Sequence, residues 1–88
     1  MLKPSFTKQF EKDWKRLQKR RKSKEKLKTV LSLLIKEEGL PPKCRDHKLI
    51  GNYKDRRECH IEPNWLLIYK ITETDIIFER TGSHSDLF

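Results

Sequence analysis

One stretch near the middle of the chain, residues 57–71, restricts the possible folds more than any other. It contains two strand-like runs on either side of a Glu-Pro-Asn corner at 62–64, where the proline fixes one backbone torsion and has no N–H to donate, as is typical of a turn. Along the first run Glu58, His60 and Glu62 occupy alternate positions, so we expect them on one face of a strand. The second run is apolar and rich in β-branched and aromatic residues, as in a central strand covered on both faces. The stretch predicts a β-hairpin that carries ionisable groups.

The positive charge of the protein is concentrated in its first half. The formal net charge of the 88 residues is +8, and residues 1–48 hold 16 basic and 6 acidic side chains, against 5 and 7 in residues 49–88. A chain of this length supports one modest hydrophobic core, so we expect a single domain over residues 1–88. The polycationic half favours a partner that carries phosphates or acidic side chains.

Several classes of protein are disfavoured by what the sequence lacks. No segment approaches the roughly 20 apolar residues that span a bilayer, and the N-terminus has no apolar signal core, so we expect a cytoplasmic protein. Cys44 and Cys59 do not have the C-x-x-C spacing of redox or zinc sites, and we expect reduced, packed thiols. No ligands recur at zinc-finger spacing, so neither a metal nor a cofactor is predicted.

Two amphipathic helices are predicted before the hairpin. A short run, Leu2 to Phe6, favours an edge strand, and Ser5 or Thr7 is a candidate N-cap for the first helix. Ser23 begins the second helix, which ends before Gly39. Their apolar stripes comprise Phe6, Phe10, Trp14 and Leu17 in the first helix, and Leu27, Val30, Leu31, Leu34 and Ile35 in the second.

The remaining segments complete an α+β fold. Residues 45–52 are expected to form a loop that enters a short strand and then a Gly-Asn turn, and a long strand is expected over residues 76–80, broken by Gly82. The predicted order is an N-terminal edge strand, a basic helical hairpin and a three- to four-stranded antiparallel sheet. We expect the helices on one face of the sheet and a binding site on the other.

The three histidines of the chain fall where a twisted sheet could bring them together. His47 precedes the sheet, His60 lies on the hairpin, and His84 follows the last strand, which also carries Arg80. Cleavage of RNA without a metal needs a base for the 2′-hydroxyl, a cation for the charge growing on the phosphate, and an acid for the leaving oxygen. Histidines and an arginine supply all three. Each histidine taken alone is an ordinary surface residue, so sequence spacing leaves a non-catalytic nucleic-acid-binding module as an alternative.

A dense run of cations joins the two predicted helices. A solvated helix face explains such a run in many proteins, but the concentration of charge in one half favours contact with nucleic acid. The candidate RNA- and ribosome-binding residues are Lys15, Lys19, Arg20, Arg21, Lys22, Lys24 and Lys28.

At these residues the chain resembles the YafQ-like branch of the RelE/ParE toxin superfamily, the toxins of bacterial type II toxin–antitoxin pairs. The resemblance covers nearly the whole length, including the basic helical hairpin. The motifs that carry it are Arg45-Asp46-His47, Arg57-Glu58-Cys59-His60, the segment from Ile61 to Tyr69, Glu79-Arg80-Thr81-Gly82-Ser83-His84 and the closing Leu87-Phe88. Each motif is weak by itself, but the combination is specific.

The resemblance implies a ribosome-dependent mRNA endonuclease. Such an enzyme cuts the codon in the A site without a metal, leaves a 2′,3′-cyclic phosphate and is silenced by an acidic antitoxin. Positions that match the family's active site are His47, His60, His84 and Phe88, with Arg80 as the phosphate-holding residue and Glu58 and Trp65 beside the site.

Asn64 departs from the family pattern, which has aspartate there. An amide orients a partner by hydrogen bonding but takes up no proton near neutral pH, so the base role passes to His47 or His60, with His84 as the acid. Phe88 is expected to stack on a nucleobase. Asn64, Glu58 and Trp65 are expected to contact the substrate.

Two alternatives stay open at this level. One is a ParE-like toxin that acts on a protein such as DNA gyrase, against which the three histidines argue. The other is an RNA-binding module whose histidines are incidental. Codon preference and the antitoxin's fold have no signature in the sequence.

Overall fold

A computed structural model of the chain describes residues 1–53 and 55–88 and has the predicted α+β architecture. Two helices follow an N-terminal strand, and the remaining strands come after them, with a short helix at the end. The elements are β1 (Lys3–Phe6), α1 (Lys8–Lys19), α2 (Lys24–Ile35), β2 (His47–Lys48), β3 (Arg57–Glu62), β4 (Trp65–Ile71), β5 (Asp75–Gly82) and α3 (His84–Leu87). Single 3-10 turns at Pro42–Cys44 and Gly51–Tyr53 flank β2.

The strands form one five-stranded mixed sheet in the order β1-β5-β4-β3-β2. Strands β2 to β5 are antiparallel, as predicted, and β1 extends the sheet by pairing in parallel with β5. This pairing runs from Lys3 opposite Asp75 to Phe6 opposite Phe78. Beyond Phe78, no strand of the described residues pairs with the outer edge of β5.

Both long helices begin at predicted cap residues. The Thr7 hydroxyl accepts a hydrogen bond from the Phe10 backbone N–H, and the Ser23 hydroxyl accepts one from Lys26. No helix in the described part of the chain is long and apolar enough to cross a bilayer.

The main core lies between the helices and one face of the sheet. Trp65, Tyr69 and Phe78 are fully buried there, and the Trp65 ring stacks on Trp14 of α1 with centroids 6.2 Å apart. Cys44 and Cys59 are buried free thiols, as expected, and burial raises the pKa of Cys59.

The opposite face of the sheet carries a second, smaller apolar cluster. Leu66 and Ile68 of β4 pack there under Leu87 of α3, with Leu49 and Tyr53 at the margin. Strand β4 is thus covered on both faces, as its composition predicts. The expectation of a wholly free second face is wrong, because α3 occupies part of it.

A bulge at the end of β3 changes one predicted orientation. His60 pairs with Leu66 and Glu62 with Trp65, so Ile61 is the extra residue and the alternation of faces is interrupted. Glu62 consequently turns to the helix side, where its two carboxylate oxygens pair with Lys22 at 2.9 Å and Lys26 at 2.8 Å. The prediction that Glu62 shares a face with Glu58 and His60 is wrong for this reason.

Candidate active site

One cross-strand row spans four strands of the sheet. His47 of β2 pairs with Glu58 of β3. Glu58 in turn pairs with Ile68 of β4, which pairs with Arg80 of β5. Directly paired residues point to the same face, and Ile68 faces away from α1 and α2. A histidine, a carboxylate and an arginine therefore lie in line on the second face. Arg80 reaches this row because a second irregularity, between Ile68 and Tyr69, leaves Glu79 as the extra residue of β5.

Glu58 lies between two of the histidines. It is 6% exposed, and its Oε1 lies 3.2 Å from His60 Nε2 and 3.8 Å from His47 Nε2. Both are ion-pair distances for a protonated imidazole, and the Glu58 carboxylate can only accept from either ring. Glu58 thus orients His60 and joins it to His47.

The orientation of the His47 ring follows from a backbone contact. Its Nδ1 lies 2.6 Å from the Arg45 carbonyl oxygen, which only accepts, so Nδ1 donates. Its Nε2 is then directed to Glu58. The ring is half exposed, in contrast to the largely buried His60 side chain.

His84 is held by Asn64 through two contacts to one oxygen. Asn64 Oδ1 lies 3.0 Å from the His84 backbone nitrogen and 2.8 Å from His84 Nδ1. The backbone N–H is an obligatory donor, so the atom facing it is the amide oxygen, and His84 Nδ1 must also carry a proton. The free position of the ring is therefore Nε2. The His84 ring is exposed and meets the His60 ring edge-to-face, with centroids 5.7 Å apart.

The start of α3 is fixed to β5 and α1. Ser83 and Asp86 form a capping box, and Asp86 also pairs with Arg20 at 2.7 Å and with Arg16 at 3.3 Å. The hydrogen bond from Arg20, followed by those from Ser83, holds the pKa of Asp86 well below its usual range. Gly82 permits this approach, since a Cβ there would lie 2.9 Å from the Asp86 Cβ. The position of His84 thus depends on an anchored helix.

Arg80 is tied to a buried acid on α1. Its Nε and Nη2 donate to the Asp13 carboxylate at 2.8 and 3.2 Å. The pKa of Arg80 is raised, chiefly by these hydrogen bonds, and the Tyr53 hydroxyl contributes. Sequence reasoning missed both Asp13 and Tyr53. A signal for Asp13 exists, because a carboxylate at position 13 falls on the apolar stripe of Phe10 and Leu17.

Phe88 lies at the margin of the same face. Its ring is 63% exposed and meets Tyr53 edge-to-face, with centroids 5.6 Å apart. The backbone N–H of Phe88 donates to the His84 carbonyl oxygen at 2.9 Å. An aromatic ring supported from one side and open on the other is available to a nucleobase.

Trp65 lies away from the surface of the site. It is 0% exposed, and its Nε1–H donates to the Thr81 hydroxyl at 2.9 Å. The structure thus places the Trp65 ring in the core, and the expectation that Trp65 contacts substrate stays a prediction. The next residue on β4, Leu66, points to the face that carries the histidines, whereas Trp65 points to the opposite face and packs beneath the helices.

The predicted RNA-binding cations fall into two groups. Arg20 pairs with Asp86, and Lys22 pairs with Glu62 and lies 5.9 Å above the Trp65 ring. Within residues 1–53 and 55–88 no ion pair engages the other five, which are exposed: Lys15, Lys19, Arg21, Lys24 and Lys28. In the same described ranges, no three His, Cys, Asp or Glu side chains are grouped as metal ligands.

Comparison with known proteins identifies the family of this chain. The chain matches the family model for the bacterial toxin of type II toxin–antitoxin systems, YafQ, over residues 2–88. It is 46% identical to the mRNA interferase toxin YafQ of Escherichia coli K12 over 84 residues, 94% of this chain and 91% of that protein.

Solved structures agree with this match. Toxin from the E. coli DinJ–YafQ toxin–antitoxin complex superposes with a TM-score of 0.92 at 44% identity, covering 99% of this chain and 97% of that one. A metal-bound toxin from Helicobacter pylori gives a TM-score of 0.94 at 43% identity over the whole of both chains. The predicted fold and family are both confirmed. This chain belongs to the YafQ family of bacterial toxins of type II toxin–antitoxin systems.

Proposed function

We propose that the protein cleaves mRNA in the ribosomal A site by acid–base chemistry that uses no metal. The observation that carries this is the grouping of three imidazoles on one sheet face, in which His47 and His60 flank Glu58, His84 contacts His60, and Arg80 lies in the same cross-strand row as Glu58. The E. coli relative is named an mRNA interferase, and this chain is likewise the mRNA-cleaving toxin of a toxin–antitoxin pair. We infer that residues 1–88 act as one toxin domain in the cytoplasm.

His84 is the proposed general acid. Asn64 occupies Nδ1, so the proton that protonates the leaving 5′-oxygen is the one carried by Nε2 of the imidazolium. The exposed ring can reach a phosphodiester lying on the sheet face. The Asn64 side-chain oxygen positions His84 by accepting hydrogen bonds from its backbone N–H and from Nδ1–H. We propose this role for Asn64 in place of the direct substrate contact expected from sequence.

His60 or His47 is the proposed general base. Both rings present Nε2 to the Glu58 carboxylate, which supports positive charge on whichever ring takes the 2′-hydroxyl proton. His60 is favoured because it touches His84, so base and acid lie within the span of one phosphodiester. Glu58 is buried beneath the two rings and thus acts through them.

Arg80 is the proposed stabiliser of the charge that grows on the phosphate. Its bonds to Asp13 use Nε and Nη2 and leave Nη1 outside that pair. Phe88 stacks on a base of the codon with its open face, and Tyr53 supports it from the other side.

The exposed cations of α1 and α2 are proposed to lie along ribosomal RNA. The five residues outside ion pairs are Lys15, Lys19, Arg21, Lys24 and Lys28. Binding of this kind releases counterions, so the affinity for the ribosome falls as salt rises. Arg20 and Lys22 are already paired inside the protein and contribute less.

The antitoxin is the second partner. A groove of about 440 Å³ between α2 and β3 has His60 in its wall, an apolar floor that includes Val30 and Leu33, and Lys26 and Lys43 at its rim. An acidic antitoxin segment with one or two apolar side chains fits this groove and would cover His60. The E. coli relative is seen in complex with the antitoxin DinJ.

The proposal is tested by primer extension on translated mRNA after induction of the toxin. We expect in-frame cuts that vanish when translation is blocked, 2′,3′-cyclic phosphate ends, and undiminished cleavage by purified toxin on ribosomes when a chelator selective for transition metals is added and the Mg²⁺ that holds the ribosome together is kept constant. His84→Ala should stop cleavage while ribosome binding persists. Full cleavage by that variant, or a reaction that this chelator abolishes, would contradict the mechanism. Added Cu²⁺ or Zn²⁺ provides a further check, because a metal that occupies the imidazoles should inhibit cleavage by competing with the protons they transfer.

A further inference from the structure

Asp13 is a buried charge that the chemistry described above does not use. It is 1% exposed, although it lies on a helix whose outer face is strongly basic. Burying an unpaired carboxylate costs several kcal/mol, so such a group persists only when it is fully paired. Its donors are Arg80 Nε at 2.8 Å, Arg80 Nη2 at 3.2 Å, the Thr81 backbone N–H at 3.2 Å, Arg16 Nη2 at 3.3 Å and Gln9 Nε2 at 3.2 Å.

The Asp13 carboxylate lies at the edge of β5, just beyond the segment that pairs with β1. The pairing of β1 with β5 ends at Phe78, so no neighbouring strand of the described residues accepts a hydrogen bond from the Thr81 backbone N–H at the edge of β5. Asp13 Oδ2 accepts this N–H and, on the same oxygen, the Arg80 Nε–H. A backbone group and the guanidinium of the neighbouring residue are therefore fixed by one atom of α1.

This geometry restricts the guanidinium more than a single ion pair would. Two parallel N–H···O bonds set the plane of the Arg80 group as well as its position. The edge that carries Nη1 is the one not used by Asp13. Since Arg80 is in the row that holds Glu58 and His47, this edge is the part available to a phosphate on the sheet face.

We propose that Asp13 is a positioning residue for mRNA cleavage, which holds the Arg80 guanidinium in the orientation that stabilises the transition state. The proposal rests on the role given to Arg80 under the proposed function. A plain structural role, as a tether between α1 and β5, predicts a loss of stability only. The positioning role predicts in addition a loss of rate that disappears when Arg80 is absent.

The test is a double-mutant cycle on single-turnover cleavage of ribosome-bound mRNA. Asp13→Asn keeps the size of the side chain but turns one acceptor into a donor that faces the guanidinium. We expect the rate at saturating ribosome to fall roughly 10- to 100-fold with unchanged ribosome affinity. In an Arg80→Ala background the same substitution should cost less than about twofold, because coupled residues are not additive.

The matched control is Glu79→Gln. Glu79 precedes Arg80 on β5, and its carboxylate pairs with Arg56 at 2.8 Å. The substitution therefore breaks an arginine–carboxylate pair of the same length beside Arg80 and leaves Asp13 unchanged. We expect near wild-type cleavage from it. Asp13→Glu, which retains the charge but shifts the oxygens by one methylene, is a second variant for the case in which Asp13→Asn does not fold. It should also cleave slowly.

Chemical rescue adds a readout that a tether would not affect. Free guanidinium ion should restore part of the rate of Arg80→Ala, and should restore less when Asp13 is also replaced, because the carboxylate is what would seat the ion. An equal rate loss from Asp13→Asn with and without Arg80, or equal rescue in both backgrounds, would overturn the proposal. A wild-type rate for Arg80→Ala would overturn the proposal too. The assignment of mRNA cleavage to this site would still stand in that case, because it is tested separately by His84→Ala.

Discussion

Asn64 binds His84 twice through a single oxygen, once at the backbone nitrogen at 3.0 Å and once at Nδ1 at 2.8 Å. Because the backbone group can only donate, this arrangement fixes the tautomer of the ring and leaves Nε2 as the nitrogen that faces away from Asn64. If His84 is the general acid, as proposed, the residue type at position 64 sets the orientation of that acid.

Replacing Asn64 tests this control in two directions. Asn64→Ala removes both acceptors and should lower the cleavage rate about 10- to 100-fold through misplacement of the ring. Asn64→Asp keeps both acceptors and adds a negative charge that favours the protonated ring, so the alkaline limb of the pH–rate profile should move to higher pH. The measurement is the pH–rate profile of single-turnover cleavage for the wild type, Asn64→Ala and Asn64→Asp. An unshifted limb in Asn64→Asp would contradict the assignment of His84 as the acid.

His47 and His60 can be separated by the same kind of profile. His60 is largely buried against Glu58 and touches His84, whereas His47 is half exposed at the far side of that carboxylate. We expect His60→Ala to lose the acidic limb of the profile and at least about 100-fold in rate, the lower range for loss of a general base. His47→Ala should keep both limbs with a smaller loss. The reverse pattern would assign the base to His47.

The two groups of cations should respond differently to substitution. Replacing Lys15, Lys19 and Lys28 by alanine should weaken ribosome binding and lower the magnitude of the slope of log affinity against log salt by roughly 0.7 to 0.9 for each phosphate that is no longer neutralised. The control is Lys22→Ala, which breaks the pair with Glu62 and should lower stability more than the salt slope. Equal slopes for all variants would argue against binding of RNA by these helices.

Asp86 makes the stability of the protein pH-dependent. Its pKa is lowered in the folded state, first by the hydrogen bond from Arg20, so its stabilising effect is present above the unfolded value of about 3.9 and is lost as the pH falls towards the folded value. Asp86→Asn should reduce the free energy of unfolding by about 1 kcal/mol at pH 7, as for removal of a helix cap. This difference should shrink below about pH 4 in urea titrations. Glu73→Gln, at an exposed position outside any ion pair of the described residues, is the matched control and should show no such pH trend.

Phe88 offers a test of base stacking. Phe88→Ala should reduce cleavage about 5- to 150-fold, since an aromatic–base stack contributes roughly 1–3 kcal/mol. Phe88→Trp retains a stacking face and should retain most of the rate. The fold should be unaffected in both, because the ring is mostly exposed. A fully active Phe88→Ala would show that the ring serves only to pack on Tyr53.

Local patterns were sufficient to predict most of the elements. The caps at Thr7 and Ser23 and the apolar run of β4 are signals of adjacent residues, and the structure reproduces them. The parallel pairing of β1 with β5 joins residues more than seventy positions apart. Nothing local determines such a pairing, so the sequence indicated the strand and left its partner open.

The site was predictable in its residue types and only partly in its contacts. Spacing placed His60 and Glu58 on one face, and their proximity to His84 required the turn at Gly82 and the anchored α3. The turn of Glu62 to the helix side depends on the bulge after His60, which has no clear sequence signal. Asp13 was overlooked because a single acid in a lysine-rich helix resembles ordinary surface composition.

The extra residue at Ile61 makes this hairpin sensitive to chain length. Removal of one amino acid from residues 58–60 would restore regular alternation with Glu62 still opposite Trp65, so Ile61 would take the position of His60 opposite Leu66 and the face that carries the histidines would lose that imidazole. Substitutions at the same point change only one side chain. Over evolutionary time this corner should accept point changes far more readily than single-codon deletions, and a deletion scan across residues 58–66 would reveal that asymmetry as a sharp loss of toxicity.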